Sequence, residues 1–246
     1  MSKKQLEDHI LTYPDSKSKE LTVFTRDEIG ELYHISKDTT IREFTPRFSK
    51  RQMSTEDITI SRVVSCPTIY GCILAYSSMH ADYTNLITKI NDKDSTWKGG
   101  YVIYRLDYEF GLSPSSKLVP DVNYTDEKWL VAYNELTKGY RPTKVGKIFA
   151  QQITYKPTDD KLPTIESILF IEVNDSKGIQ LSKNIKLDKG YWIIELPIWD
   201  HQSWKNLSFK NDNNIVVKQI NRDEWLSNKD VVASMLSAEA PSYFNW

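Results

Sequence analysis

The feature that most constrains this chain is a series of short segments in its second half where β-branched and aromatic residues crowd together. They are Trp129 to Tyr133, Val145 to Tyr155, Ile165 to Val173, Tyr191 to Leu196 and Ile215 to Ile220. Such residues pack well on a pleated surface, and the Pro, Gly, Asn and Asp clusters between them end strands and turn the chain. The pattern predicts an antiparallel meander. Within it, the Asp188-Lys189-Gly190 turn between Ile185-Lys186-Leu187 and Tyr191-Trp192-Ile193 predicts a hairpin, and Val231 to Leu236 a closing helix.

The first half mixes periods. Leu6, Ile10 and Leu11 share helical spacing over residues 4–11, and Pro14 with the polar stretch after it stops that helix. Leu21 to Thr25 and Glu31 to Ser36 predict strands, and residues 37–61 a long polar loop. Arg62-Val63-Val64-Ser65 then reads as a buried strand, restarted by Pro67-Thr68 as a helix in which Ile69, Cys72, Ile73 and Tyr76 share a face. A second helix follows through Tyr83, Leu86, Ile87 and Ile90, and Gly99-Gly100 opens a strand over Tyr101 to Leu106. No repeat, low-complexity block or linker interrupts the 246 residues. The expected fold is a single α+β domain over 1–246, a largely antiparallel sheet with a few short helices, the alternative division being a C-terminal subdomain over 140–246.

Composition removes several function classes. A net charge of -1 from 32 basic and 33 acidic residues creates no global field for DNA, RNA or an anionic membrane. Nucleic-acid binding would have to rest on the local cluster Arg42, Arg47, Lys50, Arg51 and Arg62 with Phe44 and Phe48, which acidic neighbours dilute. No stretch reaches the roughly 18–20 apolar residues that span a bilayer. Two cysteines, Cys66 and Cys72, and an opening Met1-Ser2-Lys3-Lys4 with no apolar segment after it predict a reduced, cytoplasmic, soluble protein. The histidines and cysteines lack metal-ligand spacing, so no metal site is expected.

Two constellations carry chemistry. Tyr33-His34-Ile35-Ser36 places an imidazole and a hydroxyl on one face of a strand end, where both can bond ribose hydroxyls. The ordinary alternative is a histidine satisfying a neighbouring carbonyl. The strand–turn–helix from Arg62 to Tyr76 leaves the first helical amides free to meet an anion, with Tyr70 and Tyr76 offering stacking faces. Its ordinary alternative is a core stripe with a helix-starting proline. Glu172 and Glu195 lie within strand-like runs, where a charge on a buried face needs a reason.

These residues resemble a known pattern. Tyr33-His34-Ile35-Ser36, the stretch Ile41-Arg42-Glu43-Phe44-Thr45-Pro46-Arg47, and Arg62-Val63-Val64-Ser65-Cys66-Pro67-Thr68 through Ala75-Tyr76 are similar to a class of phage and bacterial proteins that looks like the ADP-ribosyltransferase fold. The resemblance covers roughly residues 30–110. It implies a split antiparallel sheet holding NAD, with His34 on the nicotinamide ribose and Ser36 assisting. It further implies Tyr70 or Tyr76 stacking on the nicotinamide, Tyr33, Arg47 and Arg62 among the cofactor-binding residues, and Glu172 or Glu195 as the glutamate that orients the ribose. Without such a glutamate the fold is a retired enzyme kept as a binding module.

Two functions are therefore expected. One is an ADP-ribosyltransferase-like phage accessory protein that binds NAD and modifies a host macromolecule in the host cytoplasm. The other is a non-catalytic phage protein that binds and inhibits a host defence or regulatory protein through an aromatic surface. That surface would comprise Trp192, Trp199, Trp204, Trp225 and the terminal Ser242-Tyr243-Phe244-Asn245-Trp246.

Overall fold

A computed structural model describes residues 3–48, 56–75, 101–132, 139–156, 164–200 and 215–224; of residues 149–156, 164–168 and 195–200 only the backbone is described. The protein is α+β, with short helices and mainly antiparallel sheets. In chain order the elements are α1 (Lys3–Ile10), α2 (Asp15–Ser18), β1 (Leu21–Thr25), α3 (Arg26–Ile29), β2 (Leu32–Ser36), β3 (Val63–Ser65) and α4 (Ile69–Ala75). They continue with β4 (Tyr101–Leu106), β5 (Phe110–Pro114), α5 (Val122–Thr125), β6 (Lys128–Leu130), β7 (Pro142–Lys156), β8 (Thr164–Val173), β9 (Ile179–Gln180), β10 (Lys186–Leu187), β11 (Gly190–Asp200) and β12 (Val216–Ile220). No described helix is long and apolar enough to cross a membrane.

The chain divides into two compact units. The first comprises residues 1–77, 103–145 and 180–182. Its four-stranded sheet runs β1-β5-β6-β3, and β2, β4 and the start of β7 are the strands of a second ladder. α1 buries Leu6 and Ile10 against a core of Leu21, Val23, Ile60, Phe110, Leu112, Val119, Trp129 and Val131. Leu11 falls just past the helix and is 75% exposed. At the end of β1, Thr25 accepts from the Glu28 amide while the Glu28 carboxylate accepts from the Thr25 amide, and this reciprocal cap opens α3. The spacing Thr25-x-x-Glu28 carries that signal, and only the strand before it was expected.

The second unit comprises residues 78–102, 146–179 and 183–246. Its described strands form the antiparallel order β7-β8-β11-β12, the meander expected from four of the five aromatic and β-branched runs; the run that opens at Trp129 is instead β6, paired with β5 and β3 in the first unit. Ladder irregularities fall between Ile148 and Ala150 and between Pro197 and Trp199. A proline cannot donate to a ladder, which accounts for the second.

One expectation is corrected. Lys186–Leu187 does not form a hairpin with Tyr191–Ile193; it pairs with Ile179–Gln180 as a two-stranded sheet, while β11 pairs with β8 and β12. The reason lies at Gly178, which has φ 71 and closes a turn by donating to the Asp175 carbonyl. A side chain there would meet the Leu187 carbonyl at 2.4 Å, so glycine lets the two backbones approach. The helices expected through Tyr83 to Ile90 and Val231 to Leu236 lie outside the described residues.

Candidate ligand site around His34

Alternation along β2 sorts its side chains. Tyr33 and Ile35 are buried on one face; Leu32, His34 and Ser36 share the other, where Leu32 is buried and the two polar side chains are half-buried. The neighbouring chain joins through one antiparallel bridge: Tyr33 N–H donates to the Cys66 carbonyl at 2.8 Å, and Cys66 N–H to the Tyr33 carbonyl at 3.0 Å. This places the Val64 carbonyl 2.7 Å from His34 Nδ1. A carbonyl only accepts, so Nδ1 carries the proton and Nε2 presents its lone pair in the neutral ring. Enclosure of the ring holds its pKa below the ordinary histidine value; the bond to Val64 opposes this, and the Arg47 charge adds to it.

The polar loop after β2 wraps back over the ring. Phe44 exchanges two backbone hydrogen bonds of 2.9 Å with Tyr140, and Arg47 and Arg62 form a second bridge at 3.2 and 3.0 Å. Thus anchored, the Phe44 ring lies 4.6 Å from the His34 ring at 59°, and Tyr104 meets Phe44 edge-on at 5.4 Å. Tyr104 Oη donates to the Asp38 carbonyl at 2.7 Å. The Asp38 carboxylate in turn accepts from Thr40, while the Ser36 hydroxyl accepts the Asp38 amide at 3.1 Å. Ser36 therefore stabilises the turn that leads into this loop.

The other expected residues sit differently. Tyr33 is buried, its hydroxyl accepting from the Gln180 amide at 3.1 Å. Tyr70 is buried on α4, and its amide donates to the Leu181 carbonyl at 2.9 Å. Tyr76 lies outside the described residues. Glu172 is half-buried on β8 and Glu195 lies on β11 with only its backbone described; both belong to the second unit. Of the aromatic surface, Trp192 donates its indole N–H to the Asp188 carbonyl at 2.9 Å. Trp199 has only its backbone described, and Trp204, Trp225 and residues 242–246 fall outside the description.

Arg62 is not a surface phosphate ligand. Its side chain is 1% exposed, with the guanidinium 4.0 Å over the Trp129 ring. Nη1 donates to the carbonyls of Asp57 at 2.7 Å and Ile60 at 3.2 Å, and Nη2 lies 3.8 Å from Glu56. Among the described residues neither Nε nor Nη2 finds a hydrogen-bond acceptor. Beside it the buried Glu127 carboxylate accepts the Trp129 indole N–H at 2.6 Å. Burial raises the Glu127 carboxyl to about 7, against the pull of Trp129 and the Arg62 charge.

The structure thus gathers His34, Phe44, Arg47 and Tyr104 in one neighbourhood of the first unit and turns Tyr33, Tyr70 and Arg62 into its interior. Phe44 was visible in the motif Ile41 to Arg47 but read only as part of an aromatic interleave. Tyr104 and Glu127 carried no local signal. Among the described residues no group of three or more His, Cys, Asp or Glu is placed to hold a metal ion. No family model, curated protein or solved structure matches this chain.

Proposed function

We propose that this chain is an ADP-ribosyltransferase-like protein that binds NAD, or its ADP-ribose portion, at His34. The observation that carries the reading is the fixed tautomer: Val64 holds Nδ1, leaving Nε2 as an acceptor suited to a ribose hydroxyl. The Arg47 charge acts on the same ring and suits a pyrophosphate nearby. Transfer to a host macromolecule requires in addition a carboxylate on the ribose. Among the described residues the charge acting on His34 is the cation Arg47. That favours the binding form of the reading, a module that recognises NAD or an ADP-ribosylated host protein without transferring the group.

Titration calorimetry with NAD and with ADP-ribose tests the reading, using the whole chain and His34→Ala. Loss of one hydrogen bond to the ligand predicts an affinity about tenfold weaker in the variant. Equal affinities, or no heat with either ligand, end the proposal. Nicotinamide release by the whole chain establishes cleavage of the nicotinamide–ribose bond, and ADP-ribose recovered on an added protein rather than in water establishes transfer; no release alongside retained binding establishes the module.

A further inference from the structure

The NAD reading leaves Cys66 and Cys72 without a role, yet the fold brings them together. Cys66 follows β3 and is pinned to Tyr33 by two backbone hydrogen bonds. The chain then turns at Pro67, and Thr68 starts α4: its hydroxyl accepts the Gly71 amide at 2.9 Å and its carbonyl the Cys72 amide at 3.1 Å. That first turn folds back over Cys66. Gly71 permits the approach, since a side chain there would lie 3.1 Å from the Cys66 Cβ and 2.3 Å from the Thr125 carbonyl. As a result Cys72 Sγ donates at 3.2 Å to the same Tyr33 carbonyl that accepts the Cys66 amide at 3.0 Å. Both are reduced, with exposures of 1% and 5%.

Two cysteines drawn to one backbone carbonyl by a strand bridge and a helix turn have already lost most of the conformational freedom that ring closure otherwise costs. We propose that Cys66 and Cys72 are a reversible dithiol–disulfide pair, closed by a small disulfide oxidant and reopened by a dithiol reductant. In the first step the Cys72 sulfur attacks the oxidant, cleaving its S–S bond and releasing one thiol. In the second the Cys66 sulfur displaces the other half of the oxidant from Cys72. Two S–H bonds are lost and one S–S bond forms, and the oxidant's disulfide leaves as two thiols carrying the two electrons and two protons. Burial keeps Cys66 protonated, so closure quickens as the solution becomes more alkaline. The bond formed removes the Cys72 donor from the Tyr33 carbonyl, next to His34, and so couples the oxidation state of α4 to the ligand site.

The test incubates the whole folded chain with glutathione disulfide at mildly alkaline pH, quenches with acid, alkylates in chaotrope and reads the intact mass. The expected product is a monomer lighter by two hydrogens that takes no alkyl group, and that takes two after dithiothreitol. Cys66→Ser, lacking the resolving thiol, is expected to stop as a single glutathione adduct on Cys72. Two free thiols in the folded chain under conditions that oxidise the chaotrope-unfolded chain overturn the proposal. Two stable glutathione adducts, or disulfide-linked dimers, overturn it equally.

Discussion

Replacing Glu127 by Gln is expected to make this protein more stable at neutral and alkaline pH. Glu127 is buried beside Trp129 and Arg62, and its carboxyl lies at about 7 against an ordinary value of 4.5. Desolvation raises it first; Glu56 and Asp121 add to the rise, while the Trp129 bond and the Arg62 charge oppose it. The folded protein therefore keeps a proton that the unfolded chain releases. The stability this contributes is complete below 4.5 and is lost as pH rises through about 7. The rise from 4.5 to about 7 corresponds to about 3 kcal/mol. For a chain of this size that is about 6–12 °C in melting temperature. Gln keeps an oxygen to accept the Trp129 indole N–H but cannot ionise. Parent and Glu127→Gln should therefore melt together near pH 4.5 and separate as pH rises, the variant reaching its full advantage above about 7. Melting curves across this range, with urea unfolding at each end, measure it. Parallel curves would show that Glu127 titrates normally. A variant that is less stable at alkaline pH would show the opposite balance, with an ionised Glu127 needed as counter-ion to Arg62.

Gly71→Ala pushes a methyl group to within 2.3 Å of the Thr125 carbonyl, a backbone atom that cannot swing aside, and should destabilise the fold by about 2–3 kcal/mol in urea unfolding. An unchanged midpoint would contradict the close packing of α4. Tyr104→Phe keeps the ring against Phe44 but removes the bond to the Asp38 carbonyl, with an expected loss of about 1 kcal/mol and faster amide exchange around residues 38–44. Unchanged exchange there would detach that loop from the Tyr104 anchor.

The sequence by itself determined the elements whose signal is local. The runs in the second half specified β7, β8, β11 and β12 through side chains that favour a pleated surface, and Leu6 and Ile10 marked the buried face of α1. His34 was legible as a site candidate because it sits at a strand end beside Ser36. What only the tertiary structure decided was partnership between distant residues. Nothing local tells Leu187 to pair back to Ile179 rather than forward to Tyr191; the glycine that admits its carbonyl is nine positions away. The positive charge of Arg62 reads as a phosphate ligand until Trp129 covers it, and nothing near Glu127 in the chain marks it before the same packing removes its water. Charge is written in the sequence; dielectric surroundings and partners arise only when the chain folds. The His34 neighbourhood follows the same rule, since Val64, Phe44 and Tyr104 reach the ring from three separate stretches of chain.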